Sequence, residues 1–161
     1  MLNKLFYATI ALLSLLLPIS AIAADNGNLS YEIEGAGTGI QGTYLVKVTV
    51  ISKKKKVDNE LIARCAVHGV LFRGFANKEL RQSQKPLAGS PMVEAQHQQF
   101  FNDFFAENGP AVAYVTSMDS SLQVVKSGKQ YKISTIVTVN KGQLQKDLEK
   151  AGIIKGLNNG F

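Results

Sequence analysis

One stretch constrains this fold more than any other: Asp58 to Phe75, DNELIARCAVHGVLFRGF. Leu61, Cys65, His68, Phe72 and Phe75 recur at steps of three and four, with Ile62, Ala66 and Gly69 beside them. That spacing stacks side chains on one face of an α-helix. Asp58 stands where a carboxylate can accept from the free N–H groups of a first turn, so it is the expected N-cap. The small residues Ala66 and Gly69 leave room for another layer to approach. The segment predicts a buried helix with a sheet folded around it. It also holds the only cysteine and one of the two histidines.

The chain ahead of the fold reads as an export leader over residues 1–23. Lys4 supplies a positive start, Ile10 to Ile19 is apolar except for Ser14 and Pro18, and Ala21-Ile22-Ala23 offers a small-x-small cleavage site. The apolar run falls short of the roughly 20 residues that span a bilayer. No cysteine near the site could accept a lipid, so the expected location is periplasmic or secreted. The remainder, residues 24–161, has single-domain length. A lone cysteine forms no internal disulfide, so packing must hold this domain together. The net charge of +6 falls to about +5 without Lys4, a mild excess that suits an anionic surface.

Tyr31 to Glu34 alternates apolar and acidic residues, as a half-wet strand does. Gly37, Gly39 and Gly42 then spell GxGxxG, a pattern that in dinucleotide-binding proteins precedes a helix whose N-terminus receives phosphate. Here the β-branched run Thr43 to Ile51 follows, which predicts a second strand instead. Strand, glycine loop and strand also describe a kinase phosphate loop, but the chain is too short for a kinase and lacks HRD and DFG. The glycines are expected to form a hairpin connection without nucleotide chemistry.

Two basic areas flank the central helix. Lys53, Lys54, Lys55 and Lys56 precede it; Arg73, Lys78, Arg81 and Lys85 follow. The first predicts a solvated turn, and both are candidates for contact with an acidic partner. Residues Ala76 to Ser90 predict a long surface loop, with Lys78 to Gln84 as a candidate extension of the helix. Ser90-Pro91 announces a second helix, whose apolar stripe is Val93, His97, Phe100, Phe101, Phe104 and Phe105, with Gly109-Pro110 as its stop.

Ala111 to Met118 suits a strand. Ser121 to Lys126 and Gln130 to Val139 flank a Ser127-Gly128-Lys129 hairpin signature. Tyr131, Ile133, Thr135, Val137 and Val139 alternate with polar neighbours, and Asn140 with Gln143 matches a capping box. Leu144, Leu148 and Ala151 mark a short amphipathic helix. The tail, residues 153–161, is expected either to tuck in or to dock a partner.

The chemistry candidates are few. Cys65 and His68 share one side of a helix, as a thiolate–imidazole pair requires. Such a pair also needs an exposed, electropositive setting, whereas this stripe reads as buried. His97 would make a third zinc ligand with no fourth in sight. No GxSxG or HExxH occurs.

The element order predicts an α+β fold in two layers, a mainly antiparallel sheet with helices packed on one face. VKVTV leading into IARCAVHGVLFRGF, and YKISTIVTV followed by QLQKDLEKAG, resemble small export-linked accessory domains of envelope assembly proteins, of the flagellar and curli-type secretion kind. The resemblance covers about half of the chain after the leader, and the Phe-rich helix departs from it. It implies a non-enzymatic binding or assembly role with no cofactor. The expected partner is an envelope protein or an acidic envelope polymer, with no specific nucleic acid and with the membrane only as an associated surface. The alternative is a small ligand-binding protein or enzyme with a pocket near Cys65, His68 and His97.

Overall fold

A five-stranded antiparallel sheet forms one layer of the computed structural model, which describes residues 29–156. The leader expected over residues 1–23 and the end of the tail, residues 157–161, lie outside the described residues. The sheet is built around two β-branched strands, β2 (Tyr44–Ser52) and β7 (Gln130–Val139), paired from Tyr44↔Val139 to Ser52↔Tyr131. β1 (Tyr31–Gly35) lies on the far side of β2. The far side of β7 is divided between two strands. β5 (Val115–Met118) pairs with its C-terminal part, and β6 (Gln123–Ser127) pairs along Gln130 to Ser134.

The alternation read along β7 holds: Ile133, Thr135, Val137 and Val139 are buried, opposite Val46, Val48 and Val50 of β2. The other face is largely polar. There Glu32 meets Lys132 at 2.9 Å, Glu34 meets Lys47 at 3.4 Å, and Thr49 bonds Ser134 across the strands. Such exposed ion pairs contribute about 0–1 kcal/mol each, so they set register more than stability.

The central helix, α1 (Asn59–His68), lies on the buried face with Ile62, Ala63, Cys65, Ala66 and Val67 enclosed. It crosses the strands. Its first turns stand beside Val115 and Met118 of β5, and its end reaches Tyr31 and Ile33 of β1. Gly69 permits that approach, because a Cβ there would sit 2.7 Å from the Ile33 Cδ1 methyl. Asp58 occupies the N-cap position in extended conformation, but its side chain makes no capping bond.

Two expectations about this region are corrected. The helical run to Phe75 ends earlier, in a wider π turn over Gly69–Arg73 closed by Gly74 N–H on Gly69 O. Gly74 then turns at φ 65°, where a side chain would collide with the Gln84 carbonyl. That reversal makes a two-stranded ribbon, β3 (Phe75–Asn77) with β4 (Gln82–Gln84), of what reads as loop or helix extension.

The Phe-rich helix is also two pieces, α2 (Met92–Gln96) and α3 (Gln98–Phe104), broken at His97. The break lets α2 present Glu94 to α1 while α3 lays Phe101 and Phe104 into the core. Phe72 meets Phe101 edge to face at 5.0 Å, and Phe101 meets Phe104 in the same manner at 6.1 Å. Such pairs add about 0.5–1.5 kcal/mol each beyond burial. α3 stops at Phe104, ahead of Gly109-Pro110, and Pro110–Tyr114 form a 3₁₀ turn where a strand was expected.

The last helix, α4 (Lys141–Lys150), starts as read, with the Asn140 side chain accepting from Gln143 N–H at 3.0 Å. The box is half made, because the Gln143 amide goes to Asp147 and the Asn140 N–H goes to Tyr114 O. Leu144 and Leu148 are buried, and Ile153 and Ile154 pack against the core, so the described part of the tail is tucked in. This is an α+β architecture with an open antiparallel sheet.

Candidate functional site

The chemical candidates of the sequence are taken up inside the fold. Cys65 is fully buried, and burial pushes its thiol up to about 12 despite Arg64 and Arg73 nearby. A thiolate is the nucleophilic form, so this environment suppresses it. Among the described residues no hydrogen bond joins Cys65 to His68. The imidazole is engaged on both sides instead. Tyr31 Oη lies 2.5 Å from Nδ1, and Glu94 Oε1 lies 3.1 Å from Nε2. Burial lowers the proton affinity of His68, while the Glu94 carboxylate works in the opposite direction. With the ring neutral, Tyr31 O–H donates to Nδ1 and Nε2–H donates to Glu94, so the chain is satisfied from end to end.

That chain ties β1, α1 and α2 together. Arg73 completes it, with its guanidinium 3.9 Å from the centre of the Tyr31 ring and Nη1 donating to Tyr31 O at 2.7 Å. Burial pushes the Tyr31 phenol well above its ordinary range. Phe72 and Phe105 enclose the imidazole. His97 sits apart at the break between α2 and α3, and no cluster of three metal-ligating side chains exists among the described residues.

Among the described residues, two of the clefts open elsewhere. One, about 330 Å³, lies between Asn59, Glu60 and Ala63 of α1 and Val112, Val115 and Met118. The other, about 180 Å³, lies between the glycine loop and the β3–β4 ribbon, with Tyr44 and Gln84 in its wall. Neither is lined by Cys65, His68 or His97. In the second, the Tyr44 hydroxyl donates to Gln84 Oε1 and accepts from Lys141 Nζ, so its polar groups satisfy one another. A strand does follow Gly42. The helix that reaches the loop is α4, and its first-turn amides are spent on Gly42 O and Asn140 Oδ1. That arrangement leaves no helix N-terminus free to hold a phosphate there.

The lysine run and the ribbon part of the second basic area, Lys78, Arg81 and Lys85, do not merge, although Arg73 lies at Tyr31, which pairs with Val50 near Ser52. Lys53, Lys54, Lys55 and Lys56 follow Ser52, at the end of β2 that pairs with Tyr131. The ribbon packs Asn77 against Gly35, which pairs with Val46, six residues or about 20 Å further along β2. Arg73 is committed to Tyr31, and Lys78, Arg81 and Lys85 ride on or beside the ribbon. The lysine run gains different neighbours. Tyr131 pairs with Ser52 on one side and Lys126 on the other, which brings Lys126 and Lys129 to the same end of the sheet.

Beside this basic end runs β6, QVVKS, exposed at every residue. Its one partner is β7; among the described residues no main-chain hydrogen bond is made on its other side. Leu122, Val124 and Val125 are exposed, Val125 by 61%. The hairpin signature predicts β6, but not its position as a bare edge. The available signal is Val124-Val125 in tandem, which puts an apolar side chain on each face of the strand and so has no inward–outward alternation. Comparison with protein-family models, curated proteins and solved structures finds no match.

Proposed function

We propose that this protein is a non-enzymatic binding or assembly module of the cell envelope, exported to the periplasm or secreted, and that it engages its partner at the β6 edge. The observation that carries the reading is the bare strand itself. An unpaired edge offers a row of N–H and C=O groups, and proteins ordinarily blunt or cover such edges. Here the strand also exposes Val124 and Val125 beside uncompensated lysines.

The enzymatic alternative has less support. Its thiol is enclosed, its imidazole is held at both nitrogens, and neither of the clefts described above is lined by Cys65, His68 or His97. The test is capture from the protein's own envelope fraction, with a variant in which the Gln123–Gln130 hairpin is trimmed to a tight turn. Capture should fall in that variant while the thermal transition persists. Undiminished capture would remove the reading. Rapid alkylation of Cys65 in the native state would return the pocket hypothesis to the front.

A further inference from the structure

Resting on that reading, we propose that the partner is a polypeptide segment that binds extended, adds a strand to the outer edge of β6, and carries carboxylates beside its apolar residues. Each part follows from a different feature. Main-chain donors and acceptors spaced along a strand are satisfied by another polypeptide strand, whereas a nucleic acid or polysaccharide cannot reproduce that ladder. No aromatic side chain lies within β6 on which a base could stack. Val124 and Val125 project to opposite faces of the sheet, so an incoming strand finds an apolar neighbour on either side.

The demand for acid comes from charge. Lys53, Lys54, Lys55, Lys56, Lys126 and Lys129 gather at one end of β6, and none is in an ion pair among the described residues. The acids at this end do not balance them. Glu32 holds Lys132 at 2.9 Å, and Asp58, which is in no ion pair among the described residues, is one carboxylate beside six lysines. A segment with two or three carboxylates near one end would neutralise the lysines and be steered to the edge by their field.

The test uses the purified chain without its leader and fluorescein-labelled decapeptides. One alternates valine with glutamate, one alternates valine with lysine, and a third is the glutamate peptide with proline at every second valine. The glutamate peptide should bind saturably, with amide shifts and slowed exchange confined to Gln123–Ser127. The lysine and proline peptides should each bind at least about tenfold more weakly. Along an antiparallel edge, alternate residues turn their N–H outward, so proline is placed in turn at Val124 and Val125. The substitution that leaves the fold intact should abolish peptide binding. Lys126→Gln with Lys53→Gln, Lys54→Gln, Lys55→Gln and Lys56→Gln should weaken binding and flatten its salt dependence.

Three outcomes overturn the proposal. In the first, a short oligothymidylate or a heparin fragment competes as well as the glutamate peptide, so that charge alone is recognised. In the second, the proline peptide binds equally, so that no ladder forms. In the third, a concentration-dependent dimer is lost with the same edge variants, so that the occupant is a second copy. If the peptides fail while envelope capture still depends on the hairpin, the edge keeps its binding role and only the partner chemistry is wrong. If capture ignores the hairpin, the binding role of the edge falls too.

Discussion

The two edges of the sheet are finished in opposite ways. At β1, the ribbon packs Asn77 against Gly35, Arg73 takes the Tyr31 carbonyl, and the Tyr31–His68–Glu94 chain pins the strand to two helices. At β6, five consecutive residues are exposed and nothing among the described residues pairs with the outer side. Both edges belong to one sheet and are joined through β2 and β7. One is therefore packed into the folded core, and the other stands outside it. Substitutions should report that difference directly.

The largest effect should come from Phe72→Ala, which empties the junction between the β1 edge, His68 and Phe101. A loss of about 3–5 kcal/mol in chemical denaturation is expected for so buried a phenylalanine. A loss under about 1 kcal/mol would show that the β1 edge is no better anchored than β6.

Next comes Gly35→Ala. Its Cβ would lie 2.8 Å from Asn77 Cβ and 3.2 Å from Asn77 Cα, so the ribbon must move. Overpacking of this kind costs about 1–3 kcal/mol, and exchange of the Asn77 amide should speed up with it.

A conditional effect separates the edges by pH. The folded state depresses the proton affinity of His68 below its ordinary 6.5, chiefly by burial. The unfolded chain therefore binds more protons as the pH falls through about 6.5, and stability drops in that direction. The contribution is full above about pH 6.5 and is lost as the pH falls toward the lower folded value. Titration of the unfolding midpoint from pH 7.5 to pH 5 should show this loss for the parent, and His68→Gln should flatten it. Exchange at β1 should follow the same pH dependence, and exchange at β6 should not.

The smallest effect is expected at the bare edge. Val125→Thr, or glutamine at all of Lys53 to Lys56, should change stability by no more than about 0.5 kcal/mol. A larger loss would mean that the hairpin supports the core after all.

The sequence discloses what periodicity governs. Residues Ile62, Cys65 and Ala66 of α1, the inward set of β7, and the Asn140 cap follow from spacings of three to four, two, and a local hydrogen bond. It hides what depends on partners far away in the chain. The π turn at Gly69, the break at His97 and the ribbon after Gly74 each serve a contact with β1, Glu94 or Gln84 that no local pattern encodes. The candidate site divides in the same manner. Lys53 to Lys56 stand out in the sequence, but their neighbours Lys126 and Lys129 appear only once Ser52 and Lys126 are seen to flank Tyr131.

The pairing at the middle of the sheet also implies an expected order of events. β2 and β7 meet from Tyr44↔Val139 to Ser52↔Tyr131, with more than half of the described chain between them. The hairpins β1–β2 and β6–β7 close over short loops and can form early, on a timescale of roughly 1–10 μs. Their union must wait for a long loop to close, which makes it the slow step of a high-contact-order fold. A chain delivered from its N-terminus holds β2 with one flank unpaired until residue 139 arrives. The sheet thus assembles last at its centre, and any factor that keeps the chain open during synthesis or transport has to protect Val46 to Ile51 until then.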